Sequence, residues 1–407
     1  MLVQRVGLIL VSLMVCLGLL GNVSVADQII RDTLMRERIV VPNVHLRYWN
    51  IQNESETNDG KITKTTKFTQ LIHPWAFVFP VNRYFTVDIE TGYMHSSMDE
   101  SSENGEEVPK INLSGCTDTK IRGVYAIFED QFMLRFGLNI HNGKNEIKAD
   151  QSELLGKFSE SALGFGVDRL GEGLDFDIGT GFARKVGQFV LGGGISYLAK
   201  GSYEPFEDLS DLEFSPGNEL RIVGGADLYL KKNLLRADLV YVRYGESSRA
   251  DLGSFKSDGK LCAEFTCRSA VIKGRTTEQI FIRNTFARSE FPESVAFYRV
   301  GLSAEDLSYM KRSHGNQIDI RSLTHFQMRS AIGLKLILEG KHIDENEENI
   351  GGALVFGIGG GVTWRIIRRL RLDVIVKYLG GRMDDNIGSK KADLDGIAFT
   401  GSLRTEI

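Results

Sequence analysis

Stretches of about ten residues in which apolar and polar side chains alternate recur from near residue 44 to the end of the chain, and this period of two constrains the fold more than any other feature. Between Phe132 and His141, the side chains Phe132, Leu134, Phe136, Leu138 and Ile140 share one face of an extended strand, and Arg135, Asn139 and His141 share the other. The split returns with Leu174, Phe176, Ile178 and Phe182 against Asp175 and Asp177, and with Leu220, Ile222 and Leu228 against Arg221 and Asp227. It returns again with Leu334, Leu336 and Leu338 against Lys335 and Glu339, and with Leu372, Val374, Val376 and Tyr378 against Arg371, Asp373 and Lys377. A soluble sandwich also alternates, so the connections decide. From residue 119 onward, short turns such as Lys185-Val186-Gly187, Lys231-Lys232-Asn233 and Met328-Arg329-Ser330 alternate with long loops near 142–172, 200–217, 245–259, 288–315, 344–350 and 381–394. Tight turns on one side and long loops on the other mark a transmembrane barrel. Strands are expected near 44–51, 62–73, 83–95, 119–128, 132–141, 174–184, 188–198, 219–230, 234–244, 260–272, 278–287, 316–327, 331–342, 351–364, 370–379 and 396–407. The expected fold is all-β: a single antiparallel transmembrane β-barrel of 14–16 strands over 44–407.

The N-terminus fits an exported protein. Arg5 precedes an apolar run from Val6 to Leu20, and Ser24-Val25-Ala26 supplies the small residues of a cleavage site, so 1–26 reads as a cleavable signal peptide. No other segment has the ~18 consecutive apolar residues of a membrane helix, so a membrane chain of this composition must close as a barrel. Without residues 1–26 the chain has 48 basic against 53 acidic side chains, a net charge of −5, which excludes a nucleic-acid partner. Glycine at 44 residues against proline at 7 suits many strands and tight turns. The expected location is the bacterial outer membrane, with outer-membrane lipid, lipopolysaccharide and the insertion machinery as partners.

Leu113 to Lys120 reads LSGCTDTK, and RFGLNIHNGK follows at 135–144. With SYLAKGSYEP at 196–205, PGNELRIVGG at 216–225 and VRYGE at 242–246, this set resembles distant members of the long-chain fatty-acid (FadL-type) and aromatic-degradation transporters of Gram-negative outer membranes. Ile140-His141-Asn142 departs from that pattern's Leu-Pro-Thr step, and Ile407 stands where an aromatic commonly closes such barrels. The resemblance implies passive uptake of small hydrophobic, amphiphilic or anionic molecules. It also implies a plug inside the lumen, for which 27–43 is the candidate, as a short plug or a plain lead-in to the barrel.

Charges on the inward face form the candidate solute path: Arg122, Arg135, Asp175, Asp177, Arg221, Asp227, Arg236, Asp238, Arg321, Lys335, Glu339, Arg371, Asp373 and Lys377. A midplane Arg or Lys facing lipid costs ~2–4 kcal/mol, so these groups face water or each other. Cross-strand ion pairs that only fill the barrel are the plainer account of any one of them. Clustered loop acids and Asp393-x-Asp395 lack metal-ligand spacing, and no metal or cofactor is expected. If 260–272 is a strand, Cys262 and Cys267 point to opposite faces about 17 Å apart and cannot bridge. His95 and Ser97, with Asn104 nearby, are the one arrangement that suggests a barrel-embedded lipid hydrolase, and interface and loop residues are the plainer account. No enzymatic activity is expected; a structural or secretion-associated scaffold is the alternative to transport.

Overall fold

The computed structural model describes residues 38–406 except 58–59, 103–107, 128–130, 145, 159, 168, 208–211, 252, 257–258, 273–274, 288–314, 346–350 and 385–390. The expected signal peptide and most of the 27–43 segment lie outside these residues. The strands are β1 (Ile39–Thr57), β2 (Gly60–Pro80), β3 (Phe85–Ser102), β4 (Ile111–Cys116), β5 (Thr119–Ile127), β6 (Phe132–Ile140), β7 (Asp175–Val186), β8 (Phe189–Ala199), β9 (Phe214–Ser215) and β10 (Glu219–Leu230). They continue with β11 (Asn233–Tyr244), β12 (Glu246–Arg249), β13 (Gly253–Lys256), β14 (Lys260–Ile272), β15 (Thr276–Ala287), β16 (Gln317–Gln327), β17 (Ile332–Ile343), β18 (Ala353–Ile367), β19 (Leu370–Asp384) and β20 (Lys391–Glu406). Among the described residues there is one helix, α1 (Ala149–Phe158), between β6 and β7.

Every pairing in the main sheet is antiparallel, and the last strand pairs with the first, Ile39 opposite Glu406 and Leu46 opposite Phe399. The sheet is therefore closed, with no edge to leave backbone groups unpaired in lipid. Both β4 and β5 pair with β3, as upper and lower parts of one wall position broken at Thr117-Asp118, which makes sixteen positions around the barrel. Strands β9, β12 and β13 form a separate small sheet in the long connections after β8 and β11.

Alternation sorts the side chains. Phe136, Ile178, Phe356 and Tyr378 are among the apolar groups exposed on the outside, while Trp49, Phe68, Met94 and Leu113 are buried inside. Outward aromatics recur eight residues apart on three strands: Phe85 and Tyr93, Phe189 and Tyr197, Phe356 and Trp364. At ~3.3 Å per residue and a tilt of ~35–45°, eight residues rise about 20 Å, so these rings border an apolar band of membrane dimensions. The tight connections run as expected, with Gly187 at φ +63° between β7 and β8, where a residue without Cβ adopts the left-handed turn freely.

Several boundaries differ from expectation: β2 and β3 run on to Pro80 and Ser102, and β4 lies outside every expected strand. Residues 39–43 belong to β1, because Ile39 and Val41 pack with Ala76 and Val78 in a small inward cluster. The expected loop over 381–394 is largely strand: Met383, Ala392 and Leu394 are buried in the core of the outer mouth and extend β19 and β20 upward.

Candidate functional site

Strand pairing sets the wall of the lumen. Around β3–β7, Arg122 meets Asp88 at 3.6 Å and Glu90 at 3.3 Å, and Arg135 donates to Asp177 at 2.6 Å. Across β10 and β11, Arg236 grips Asp227 through two hydrogen bonds of 2.7 and 2.9 Å, and Arg221 meets Glu219 at 3.5 Å. Asp238 is buried two residues further up β11, and buried Asp175 at the top of β7 accepts from the Gly201 amide at 3.1 Å and from Asn139 at 3.2 Å. On the opposite side Lys335 donates to Asp373 at 2.5 Å, which also takes Arg371 at 2.9 Å. Lys377 donates to both Glu339 oxygens at 2.8 and 2.9 Å, and Arg321 lies 3.6 Å from the same carboxylate.

The Lys335–Asp373 and Lys377–Glu339 pairs skip a strand, because Lys335 and Glu339 are on β17 and their partners on β19. They meet over the inward glycines of β18. A Cβ at Gly357 would lie 2.7 Å from Glu339 Cγ, and one at Gly359 would lie 2.5 Å from Lys377 Cγ. Glycine here is a requirement of close approach. Desolvation of two charges is offset only when each keeps a well-placed partner, so removing one member costs more than the pair contributes.

The outer mouth is crossed by the β6–β7 connection, residues 141–174. Asp118, at the break between β4 and β5, anchors both of its ends. Its buried carboxylate accepts from the Gly143 amide at 2.8 Å, the Glu172 amide at 2.7 Å and the Asn139 side chain at 3.2 Å. The Asp118 amide donates to Leu170 O at 3.0 Å. A side chain at Gly143 would come within 2.5 Å of the same Leu170 carbonyl, so the anchor needs glycine. Burial alone would raise the Glu172 carboxyl, but Arg169 foremost, with Lys200 and Lys120, holds it below the ordinary range.

From this anchor the segment reaches the far wall. Arg47 and Trp49 of β1 donate to Leu163 O at 2.6 and 2.8 Å. Gln70 of β2 donates to Val167 O at 2.7 Å and accepts from the Gly166 amide at 3.0 Å. Lys341 of β17 donates to Ser161 O, and Ser161 donates to Gln317 of β16 at 2.5 Å. Beneath these polar contacts Leu154, Leu155, Phe158 and Leu163 form one apolar core with Trp49, Phe68, Met94, Leu113, Leu379 and Leu394 of the wall.

The structure thus puts these charged side chains on the inward face in two groups, one on β3–β11 and one on β16–β19. Sequence reasoning missed the inserted segment, treating 142–172 as an outer loop; the short plug or plain lead-in expected at 27–43 lies mostly outside the described residues. A signal existed: Asp118 lies inside LSGCTDTK and Gly143 inside RFGLNIHNGK, so the quoted motifs hold the anchor. His95 and Ser97 face outward near the top of β3, opposite Ser114 and Asn112, and make no hydrogen bond to each other; Asn104 lies outside the described residues. Cys262 faces inward beside Thr285 at 3.2 Å, Cys267 faces outward, and both are free. Among the described residues no cluster of His, Cys, Asp and Glu could hold a metal ion.

No family model matches the sequence, and no curated protein does. Among solved structures the chain is similar to a Pseudomonas aeruginosa FadL homologue (TM-score 0.44, 8% identity, 91% of this chain and 90% of that one). It is similar also to Pseudomonas putida OprB (TM-score 0.43, 8% identity, 92% and 96%) and to the Pseudomonas putida toluene transporter TodX (TM-score 0.40, 10% identity, 91% and 90%).

Proposed function

We propose that this chain is an outer-membrane conduit through which small hydrophobic, amphiphilic or anionic molecules pass passively. The observation that carries the reading is a closed barrel with an apolar outer band and a charged inner wall, narrowed at its outer mouth by its own inserted segment. A barrel serving only as a scaffold has no need of an inward wall bearing exposed charge, and Arg321 keeps 60% of its side chain accessible there. In this reading Arg122, Arg135, Asp175, Asp177, Arg221, Asp227, Arg236, Asp238, Arg321, Lys335, Glu339, Arg371, Asp373 and Lys377 line the solute path, and most also hold the wall together as ion pairs. Passage needs differential affinity and no chemistry, so no side chain is assigned a catalytic role. The protein reaches the membrane after cleavage behind Ala26, is folded into lipid by the insertion machinery, and meets lipopolysaccharide at its outer rim.

Conductance of the refolded protein in planar bilayers, together with soaks in fatty acids and aromatic acids, tests this. Current or retained ligand is expected. Neither current nor ligand overturns the conduit and leaves the scaffold. N-terminal sequencing of protein recovered from outer membranes should begin at Asp27.

A further inference from the structure

Charge is not spread evenly around the lumen. Along β3–β11 acids and bases nearly balance: Arg122 faces Asp88 and Glu90, Arg135 faces Asp177, Lys200 and Arg221 share Glu219, and Arg236 is taken up by Asp227 with Asp238 close by. Across the barrel cations are in excess. Arg47, Arg283, Arg321, Lys341 and Lys377 gather around Asp319 and Glu339, with Glu264 taken by Arg283 at 2.7 Å. Five cations share three carboxylates.

Arg321 is the least engaged of the five. Its one ion pair among the described residues is the 3.6 Å contact to Glu339, whose oxygens already accept from Lys377, and its side chain is 60% exposed. Two and four residues above it on β16 stand Asp319 and Gln317, and Gln317 accepts from Ser161 of the inserted segment. The cationic surplus therefore adjoins the chain that crosses the mouth, to which Lys341 and Arg47 are themselves hydrogen-bonded.

We propose that this wall is a selectivity site for small anionic solutes, with Arg321 meeting the solute and Arg47, Lys341 and Lys377 supplying a fixed positive background. The inference rests on the conduit reading and gives it a substrate class. A guanidinium suits the task because it stays charged at every working pH and its fork matches a carboxylate in two hydrogen bonds. On the facing wall the acids are met by Arg122, Arg135, Arg221 and Arg236, so the cationic surplus lies on one side only and draws the solute there. Because Arg321 is exposed, replacing it leaves no buried partner stranded.

The test is the reversal potential in bilayers under a tenfold potassium chloride gradient, for the unaltered protein, Arg321→Gln and Arg321→Glu, each first shown to be folded by heat-dependent gel mobility. The unaltered protein should prefer chloride to potassium. Reversing one charge about 7 Å from the ion, screened at a Debye length of ~10 Å, should lower the chloride-to-potassium permeability ratio about five- to tenfold, and Arg321→Gln about two- to threefold. Current with the same reversal potential in all three proteins overturns the site and leaves the conduit standing. No current from any of them overturns the conduit and the site together.

Discussion

Replacing Asp118 with alanine should free the inserted segment while leaving the barrel closed. The two backbone amides that the carboxylate accepts, from Gly143 at 2.8 Å and Glu172 at 2.7 Å, bracket the segment, and the residue is only 5% exposed. Hydrogen bonds to a charged group contribute ~1.5–3 kcal/mol each, so losing both weakens the anchor by roughly 3–6 kcal/mol. Local opening at these amides should rise by about two to four orders of magnitude, since each ~1.4 kcal/mol is a factor of ten. Amide hydrogen exchange of detergent-solubilised protein reads this directly in peptides covering 140–146 and 170–174. Asp118→Asn keeps a neutral acceptor and should cost about half as much. The closure pairs between β1 and β20 do not involve Asp118, so heat-dependent gel mobility should be unchanged. If the Asp118→Ala peptides exchange as slowly as the unaltered ones, Asp118 is not the anchor.

Trp49→Ala removes a fully buried ring and its hydrogen bond to Leu163 O, and should cost about 3–5 kcal/mol in the core beneath the insert, seen as a lower urea midpoint for protease protection of 144–172. Arg236→Ala strands Asp227, whose side chain is 3% exposed, and should destabilise the barrel by about 3–5 kcal/mol in urea unfolding; adding Asp227→Asn should recover most of the loss, and failure to recover would argue against the pair as the cause. Gly357→Val brings side-chain atoms onto Glu339 and should cost about 1–3 kcal/mol by the same measurement, whereas Gly340→Val, with no heavy atom within 4 Å of its Cβ position, should be tolerated better. Intact mass measured with and without reductant should show no bridge between Cys262 and Cys267, which lie on opposite faces of β14.

The period of two in the sequence determined which side chains face lipid. Arg135 and Leu134 cannot exchange faces without putting charge into the apolar band, and the same holds strand by strand, so the inward parity of Arg321, Glu339 and Lys377 was legible before any coordinates. Alternation also found a strand at all sixteen wall positions, but it ended β2 and β3 seven residues short and left out β4. What it could not supply was partnership. Glu339 and Lys377 are 38 residues apart and join only because Gly357 and Gly359 of the strand between them leave room. Nor could it show where the long connections go. Residues 142–172 carry no strand pattern and read as an outer loop, yet Leu154, Leu155, Phe158 and Leu163 find their apolar partners on the inner wall of the upper barrel. Of those partners, Trp49, Phe68 and Met94 occupy inward positions that the sequence marks only as not facing lipid, and Leu113 lies outside the expected strands. An apolar residue at an inward position is ambiguous along one strand; it becomes a core only when closure sets the opposite walls of the barrel around a segment that can fill the space between them.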